Sequence, residues 1–390
     1  MIILEKYNNA CKIVGSLSAA IRRDISYELS YEAPGFKFLL ASGKSSKFNG
    51  WDGRHRLLSR NNTFPVGLLH RVESILIMWK KDYEVVDKSS KIKYGDSLPI
   101  VDSNFKARDY QLEVVDKANS SGSGIVRSAT GSGKTSMIAM LIANYNVKTV
   151  VFVIDIELLF QMKSTIERLY GISCGVVGGG LCETDKDVTI MTIWSAASAF
   201  NKKVKISDSD VTQDTKAKNK NLDKDAVASL VNNCELMIID ECQYAASNTV
   251  QFLHKETYSA KHRFLFSGTP WRDYGDDILI ESVGGPKIYD LNASKLIDRG
   301  YLVKPEVYFN YVPNLRNPGD NYNKVYTNYI VNNDIRNDMI VRYAENLVRG
   351  GKKVLILVVR VEHGNVLRDK LDSLNVEFLD GKNSASDRLG

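Results

Sequence analysis

The chain has 390 residues, of which 44% are hydrophobic, and this length suffices for two or three domains with buried cores. It contains no run of about 18 uncharged apolar residues, and its first residues lack the order of a signal peptide. We therefore expect a cytoplasmic protein that does not contact membranes. Five cysteines without a C-x-x-C pair favour reduced thiols and argue against a metal site built from them.

The basic residues are concentrated at one end of the chain. Residues 1–106 hold 17 Lys and Arg against 11 Asp and Glu, whereas the remaining residues hold 35 of each kind. The whole net charge of +6 therefore precedes residue 107. A positive excess confined to one region indicates where a polyanion would dock.

The first 100 residues predict a small mixed α/β domain. Apolar residues recur with a helical period at 17–25 and, more strongly, at 66–79, and a strand-like run at 36–40 lies between them. Residues 85–105 are polar and contain one glycine and one proline, so they predict a linker.

Basic side chains and aromatic rings are interleaved near a turn predicted at Asp52-Gly53. The cluster consists of Lys44, Lys47, Phe48, Trp51, Arg54, Arg56 and Arg60. Cations suit phosphate contacts and an aromatic ring suits stacking on a base, so we expect this cluster to bind DNA. The alternative is a solvated hairpin whose Trp51 fills the small core.

From residue 106 onwards, predicted strands alternate with helices. The apolar runs at 149–154 and 236–239 are nearly continuous, as in strands buried on both faces of a parallel sheet. Strands are predicted at 125–127, 149–154, 174–177, 188–191, 235–239 and 263–266, and helices at 134–144, 157–169 and 249–254. Residues 201–225 carry seven Lys, five acidic residues and few apolar ones, and predict a disordered insertion.

A phosphate-binding loop is predicted at Ser128-Ala129-Thr130-Gly131-Ser132-Gly133-Lys134-Thr135. Its glycines let backbone N–H groups approach phosphate oxygens, Lys134 neutralises the β- and γ-phosphates, and Thr135 can ligate Mg²⁺. Ser128 stands where the strict G-x-x-x-x-G-K-[ST] pattern has glycine. The alternative is a Gly/Ser loop that binds nothing, but Gly-Lys-Thr between a strand and an apolar helix seldom arises by chance.

An acidic pair, Asp240 and Glu241, follows the strand predicted at 235–239. The carboxyl end of a parallel strand is where nucleotide sites collect Mg²⁺ ligands. Asp240 can hold the ion, and Glu241 is placed to orient and deprotonate the attacking water. An acidic pair after a strand is common, but its combination with a phosphate loop about 105 residues earlier is much more specific.

A second α/β pattern begins after an Asn-rich region at 313–334. A helix is also predicted earlier, at 293–298. The second pattern has helices at 336–349 and 363–374 and strands at 353–359 and 375–379. The length of this unit up to Gly390 is small for an α/β domain.

Four segments appear in the order of the motifs of superfamily 2 helicases, and on these segments the chain resembles that family. The segments are Arg108-Asp109-Tyr110-Gln111, residues 129–135, Asp240-Glu241-Cys242-Gln243 and Ser267-Gly268-Thr269-Pro270. They are similar to the adenine-binding segment and to motifs I, II and III. A serine in place of the first loop glycine is ordinary in this family.

The resemblance implies an enzyme that binds ATP with Mg²⁺ and hydrolyses it. The implied ATP-binding residues are Arg108, Gln111, Thr130, Gly131, Ser132, Gly133, Lys134 and Thr135. The implied catalytic residues are Lys134, Asp240, Glu241 and Gln243, with Thr135 and Asp240 as metal ligands and with Ser267 and Thr269 coupling hydrolysis to movement. Gln243 stands where many relatives carry His, and glutamine can form a hydrogen bond there but cannot become charged.

Weaker matches lie between these motifs. Gln161, Gly179 and Thr192 are similar to positions in motifs Ia, Ib and Ic. The resemblance implies that these segments touch the backbone of the DNA strand along which the enzyme moves.

The N-terminal residues narrow the resemblance to UvsW-type phage helicases. Residues 31–38, Asn49-Gly50-Trp51-Asp52-Gly53-Arg54 and residues 65–68 resemble the domain that precedes the motor in those enzymes. Val361-Glu362-His363-Gly364 resembles the start of their second motor domain, with Arg360 near a DNA-backbone contact. Such enzymes drive branch migration and fork regression, which implies duplex, forked or four-way DNA as the partner, and a role in replication, recombination or repair.

We therefore predict an α/β chain in three parts that acts as a monomer, in the host cytoplasm if it is phage-encoded. The parts are a basic N-terminal DNA-binding domain at 1–100, a RecA-like parallel-sheet motor domain at 101–290, and a partial second RecA-like domain at 291–390. Nothing up to Gly390 supplies motifs V and VI, and the family's arginine finger lies in motif VI, so we expect residues 1–390 to hydrolyse ATP poorly. Two alternatives stay open: the motor part of a restriction or repair nuclease, and an ATP-gated DNA-binding module that does not unwind DNA.

Overall fold

The computed structural model describes residues 1–33, 35–36, 51–201, 222–271, 275–312, 321–372 and 374–380. The chain divides into two compact units, Met1–Val303 and Lys304–Gly390. Three sequence predictions fall outside the described residues: the side chains of Lys44, Lys47 and Phe48, the strand at 36–40 beyond Phe36, and most of the insertion at 201–225.

The strands are β1 (Ile2–Lys6), β2 (Ala10–Val14), β3 (Ser30–Glu32), β4 (Arg54–Arg56), β5 (Thr63–Pro65), β6 (Tyr83–Asp87), β7 (Ser123–Ser128), β8 (Thr149–Val153), β9 (Cys174–Gly178), β10 (Leu181–Cys182), β11 (Val188–Thr192), β12 (Leu236–Asp240), β13 (His262–Ser267) and β14 (Lys287–Leu291). The helices are α1 (Ala19–Glu28), α2 (Leu69–Met78), α3 (Asp109–Ser121), α4 (Lys134–Tyr145), α5 (Ile156–Tyr170), α6 (Ile193–Ala199), α7 (Lys224–Asn233), α8 (Asn248–Glu256), α9 (Ile278–Gly284), α10 (Ala293–Asp298), α11 (Tyr322–Tyr326), α12 (Asp334–Arg349) and α13 (Val361–Lys370). Short 3₁₀ turns occur at Val66–Leu68 and Cys242–Ala246, and a π-helical turn at Thr327–Val331. In the described part of the chain, no helix is long and apolar enough to cross a membrane.

A four-stranded sheet occupies the N-terminal region, with the strand order β5-β2-β1-β6. The Ser18 hydroxyl accepts a hydrogen bond from the Ile21 N–H, and this cap explains why α1 begins at Ala19 rather than at the predicted residue 17. β6 runs parallel to β1 and overlaps the start of the linker predicted at 85–105. Its hydrogen-bond partner is distant in the sequence, so local composition could not reveal the strand.

An eight-stranded sheet forms the centre of the first unit, with the strand order β10-β9-β11-β8-β12-β13-β7-β14. β10 is antiparallel to β9, and the other neighbouring strands are parallel. Every residue of β8, β9, β11 and β12 is buried, which confirms the prediction of strands covered on both faces. This mostly parallel sheet is the predicted RecA-like architecture, and it brings the carboxyl ends of β7, β8 and β12 to one edge.

The N-terminal sheet region is docked on the motor sheet within the same unit. A Cβ added at Gly67 would lie 1.9 Å from the Glu281 carbonyl oxygen, so only glycine fits at this contact. Beside it, the Arg71 guanidinium donates to both carboxylate oxygens of Glu281, at 2.7 and 3.0 Å. The first two predicted domains therefore form one compact unit.

A buried arginine also joins the two parts of the first unit. Arg263 on β13 is 0% exposed, and its Nε donates to the Asn8 carbonyl at 3.1 Å. Its Nη1 lies 3.0 Å from both His254 Nδ1 and the Thr257 hydroxyl. Burial lowers the pKa of Arg263 to about 10, so the cation persists near neutral pH and its hydrogen bonds hold Asn8 against the motor.

The first unit extends beyond residue 290, where the sequence predicted the motor domain to end. β14 pairs with β7, and Leu291 and Leu296 lie in the motor core. Because these residues complete the sheet and cover its edge, the structure divides the chain after Val303.

The second unit is helical in its described residues, with α11, α12 and α13 as its helices. Asn337 and His363 are buried and joined by a hydrogen bond of 2.9 Å between α12 and α13. The strands predicted at 353–359 and 375–379 are wrong, because no strand is assigned to them. Leu355, Leu357 and Val359 are 83%, 84% and 84% exposed. Their alternation is that of a strand, but no described neighbour supplies the hydrogen bonds that a strand requires.

Candidate nucleotide-binding and catalytic site

The phosphate loop joins β7 to α4, as the sequence predicted. Gly131 and Gly133 both have a φ of 83°, in the left-handed region that glycine adopts without steric cost. Ser128, at the position of the pattern's first glycine, has its hydroxyl 2.6 Å from the Ser132 hydroxyl, and both residues are buried. The serine in place of glycine therefore braces the loop.

The predicted adenine-binding segment lies directly behind the phosphate loop. The Gln111 side-chain oxygen accepts from the Arg108 backbone N–H at 2.9 Å, and its Nε2 donates to the Ser132 carbonyl at 3.2 Å. The Tyr110 hydroxyl donates to the same carbonyl at 2.9 Å. Gln111 is only 3% exposed, so its amide positions the loop. Sequence reasoning missed Tyr110, although its place between two predicted residues was a usable signal.

The two predicted catalytic charges face each other at the carboxyl ends of β7 and β12. Lys134 Nζ lies 3.8 Å from Glu241 Oε1. Glu241 has a φ of 54°, a left-handed conformation that costs a non-glycine residue about 1–2 kcal/mol. The site keeps this conformation at the start of the turn Cys242–Ala246, where it directs the carboxylate toward the loop lysine.

Asp240 supplies the second carboxylate and is buried beside Glu241. Burial and the neighbouring Glu241 raise the pKa of Asp240 to about 6, while Lys134 acts in the opposite direction. A carboxylate whose charge is disfavoured in this way is stabilised by a bound cation. Together with the Thr135 hydroxyl it offers oxygen donors, which suit Mg²⁺ held partly by substrate phosphates. Among the described residues, no three His, Cys, Asp or Glu side chains are grouped for a metal.

The segment predicted as motif III is linked to Glu241, the predicted catalytic carboxylate, by hydrogen bonds. The buried Ser267 hydroxyl donates to Gln243 Oε1 at 2.7 Å, and Gln243 Nε2 donates to Glu241 Oε2 at 3.1 Å. The Thr269 backbone N–H donates to the Ser267 hydroxyl at 3.0 Å. The structure thus brings Glu241, Gln243, Ser267 and Thr269 into one chain of contacts, with glutamine in the position where many relatives carry histidine.

The three weaker motifs meet at neighbouring strand ends of the same sheet. Gly179 has a φ of 62°, and a Cβ there would lie 3.3 Å from a methyl of Ile156, the first residue of α5. Gln161 is exposed on α5. Thr192 is buried and caps α6, with its hydroxyl accepting from the Ser195 N–H at 3.2 Å. Its side chain is therefore occupied within the protein.

Two of the predicted DNA-binding arginines of the N-terminal region, Arg54 and Arg56, already have partners. Arg54 donates to the Ser30 hydroxyl at 2.8 Å and stacks over the Tyr27 ring at 4.4 Å. Arg56 forms a two-pronged ion pair with Asp52, at 3.0 and 2.5 Å. Hydrogen bonding from Arg56 lowers the pKa of Asp52 to about 2 against the opposing effect of burial.

Trp51 is partly exposed and anchored to the same strand. Its Nε1 donates to the Arg54 carbonyl at 3.0 Å, and its ring lies 5.3 Å from the His55 ring. The indole is therefore held at the surface rather than filling the core. In the second unit, Arg360 donates to the Thr327 hydroxyl at 2.7 Å and to Asn323 at 2.9 Å.

Comparison with known proteins finds similarity to helicases and translocases. A family model described as "Type III restriction enzyme, res subunit" matches residues 104–272. "Putative helicase 22" of Sulfolobus islandicus filamentous virus is 26% identical over 266 residues, 62% of this chain and 44% of that protein. "DNA 3'-5' translocase XPB2" of Sulfurisphaera tokodaii is 26% identical over 219 residues, 56% and 43% of the two chains. The chain therefore spans less than half the length of these curated relatives.

Solved structures with the same fold include two of the UvsW helicase from bacteriophage T4. One has a TM-score of 0.55 at 16% identity and covers 74% of this chain and 99% of its own. The other has a TM-score of 0.56 at 16% identity and covers 100% of this chain and 76% of its own. The motif order and the family match are similar to those of superfamily 2 helicases. The fold resembles that of T4 UvsW.

Proposed function

We propose that this chain is an ATP-driven DNA motor that remodels branched DNA by branch migration and fork regression. The observation that carries the proposal is the contact chain from Lys134 through Glu241 and Gln243 to Ser267. It links the group that binds phosphate to motif III at the end of β13. A device of this kind can convert the presence of a terminal phosphate into a movement.

In this proposal each residue of the chain has a distinct task. Lys134 neutralises the β- and γ-phosphate oxygens, and Glu241 accepts the proton of the attacking water. Gln243 orients Glu241 by one hydrogen bond, and its other hydrogen bond, to Ser267, makes Ser267 respond to a movement of Glu241. Mg²⁺, when bound with ATP, would be held by Thr135 and Asp240 and would neutralise charge on the transferred phosphoryl group.

The DNA-binding part of the proposal relies on the rigid docking of the N-terminal region. Arg71, Gly67 and Asn8 all contact the motor part of the first unit. A duplex or junction gripped by the N-terminal region would therefore keep a constant distance from the strand that the motor moves along. The exposed Gln161 and the glycines near Gly179 are the proposed contacts with that strand.

The test combines three assays on the same protein: ATP hydrolysis with and without DNA, strand displacement on a fork, and branch migration of a four-way junction. We expect DNA-stimulated hydrolysis and junction movement, and we expect Lys134→Ala to lose both by a factor of about 10²–10³. Lys148→Ala, an exposed lysine before β8, is the matched control. Hydrolysis and displacement without junction movement would retain the motor and reject branch migration.

A second candidate is the motor part of a restriction or repair nuclease. The description of the family that matches residues 104–272 favours it. Incubation with supercoiled plasmid, ATP and Mg²⁺ distinguishes this function, because a nuclease converts the plasmid to nicked or linear forms. The third candidate, an ATP-gated DNA-binding module, would change its DNA affinity with ATP but displace no strand.

A further inference from the structure

A short segment after α10 lies against the proposed nucleotide site. The Arg108 guanidinium carbon lies 5.1 Å from the centre of the Tyr301 ring. The Tyr301 ring also meets the Tyr110 ring edge to face, with centres 5.1 Å apart and planes at 80°. Arg108 in turn donates to the Tyr110 hydroxyl at 2.7 Å. Tyr301 therefore contacts the half-buried Arg108 cation of the predicted adenine-binding segment through its ring.

Leu302, the next residue, lies close to the phosphate loop. A Cβ added at Gly131 would lie 3.1 Å from a methyl group of Leu302. Gly131 is one of the two loop glycines whose backbone forms the phosphate cradle. Leu302 thus packs close to Gly131, where it limits the freedom of the glycine.

The segment is held in place by its backbone rather than by these two side chains. The N–H groups of Tyr301 and Leu302 both donate to the Leu296 carbonyl, at 2.8 and 3.2 Å. Leu296 is itself buried in the motor core. Replacing either side chain therefore leaves the path of the segment supported.

The hydrogen bonds that Gln111 already makes within the protein give the segment with Tyr301 and Leu302 a role in nucleotide binding. Both ends of the Gln111 amide are hydrogen-bonded within the protein, to Arg108 and to Ser132. Of the two residues predicted to bind adenine, Arg108 is the one with a charged group, and it is half-buried rather than buried like Gln111. Its orientation depends on Tyr301, which also donates to the Asp109 carboxylate at 3.2 Å.

We propose that Tyr301 and Leu302 are two further positioning residues of the nucleotide site. Tyr301 orients Arg108 at the base end, and Leu302 braces Gly131 at the phosphate end. The inference rests on the proposed binding of ATP at the phosphate loop. It predicts that Tyr301 contributes to binding of the base of ATP and that Leu302 contributes to binding of its phosphates.

The experiment compares the dissociation constants of ATP and of inorganic triphosphate for each variant. Tyr301→Ala is expected to weaken ATP binding about two- to fivefold, the size of an exposed cation–π contact, and to leave triphosphate binding unchanged. Tyr301→Phe keeps the ring and should retain most of the ATP affinity. Leu302→Ala is expected to weaken ATP and triphosphate by the same factor, because it acts on the cradle.

Tyr258→Ala is the matched control, since Tyr258 is also a partly exposed tyrosine of the first unit and contributes its carbonyl, not its ring, to a hydrogen bond with Asn8. Equal losses of ATP and triphosphate binding in Tyr301→Ala would overturn the inference, as would no loss in either variant. If the unmodified protein binds neither ligand, the proposed function itself fails. The two failures are therefore distinguishable.

Discussion

The phosphate loop and the basic strand β4 use cations in opposite ways. Lys134 stands 3.8 Å from Glu241, a loose approach that leaves its ammonium able to meet a phosphate. Arg56 lies within 3.0 Å of both oxygens of Asp52, and Arg54 is bound to Ser30. The comparison teaches that an ordered motif predicts an available charge better than a local excess of basic residues does.

The physical reason lies in what each arrangement needs. A phosphate-binding loop is built from consecutive residues, so the spacing of its glycines and lysine in the sequence determines its geometry. A basic patch functions only if its cations are not neutralised by acids that approach from elsewhere in the chain. Arg56 is neutralised by Asp52, four residues away, and Arg54 is bound by Ser30, which lies beside it only because β3 and β4 pair.

The largest expected effect is at Glu241, the residue that faces the available charge of Lys134. Glu241→Gln should lower ATP hydrolysis by about 10²–10⁴ while ATP still binds, because the phosphate ligands remain and the general base is lost. Single-turnover hydrolysis and nucleotide binding are the measurements. Glu183→Gln, in the residue that follows β10 and pairs with Lys163, is the control. Normal hydrolysis by Glu241→Gln would mean that the Lys134–Glu241 approach is structural.

The contact between the two regions is tested at Arg71. Arg71→Met should lower the free energy of unfolding by about 1–3 kcal/mol, a value reduced for partial exposure, because it leaves Glu281 without its main partner. Urea unfolding measures the change, and Arg23→Met, at an exposed position, serves as the control. An unfolding free energy equal to that of the unmodified protein would show that Gly67 and Asn8 suffice for docking.

The ion pair of Arg71 and Glu281 also makes the free energy of unfolding depend on pH. Burial alone would raise the pKa of Glu281, but hydrogen bonds from His70 and Arg71 outweigh it and hold the pKa at about 2. A carboxyl whose pKa is depressed by folding contributes stability above its ordinary pKa of about 4.5 and loses it as the pH falls toward 2. The difference between Arg71→Met and the unmodified protein should therefore shrink below about pH 4.5.

The chain of contacts behind the phosphate loop is tested at Ser267. Ser267→Ala removes the hydrogen bond to Gln243, and we expect a loss of about 3–10-fold in DNA-stimulated hydrolysis with ATP affinity retained. Ser247→Ala, which removes a helix cap at α8, controls for general destabilisation. If both variants lower hydrolysis equally, the link to motif III does not couple DNA to the site.

The smallest expected effect is on the salt dependence of DNA binding, and it distinguishes Arg60 from Arg54. Arg60 is exposed, so Arg60→Gln should reduce the salt dependence of DNA binding by about 0.9 in the log–log slope. Arg54→Gln should leave the slope unchanged and lower stability by about 1 kcal/mol, because its guanidinium serves Ser30. Deleting the whole region would also remove the carbonyl that Arg263 binds, so point substitutions are the cleaner measurement. Equal slope changes in the two variants would mean that Arg54 also meets DNA.

The sequence by itself determined the predicted phosphate loop and the elements of the eight-stranded sheet that flank the candidate site. The helix after the phosphate loop was predicted at 134–144 and occurs at Lys134–Tyr145, and the strand before Asp240 was predicted within one residue of Leu236–Asp240. Both follow from consecutive apolar residues and from a loop whose function requires glycine at fixed positions. Local patterns of this kind need no information from the rest of the chain.

Only the tertiary structure decided which polar groups are available and which apolar runs become strands. Tyr301 and Leu302 reach the nucleotide site across about 170 residues of sequence, and no local pattern predicts such a contact. β6 forms because β1 lies beside it, whereas residues 353–359 alternate like a strand and have no described partner. Hydrogen bonds between strands and between side chains join residues distant in sequence, and the fold alone brings those residues together.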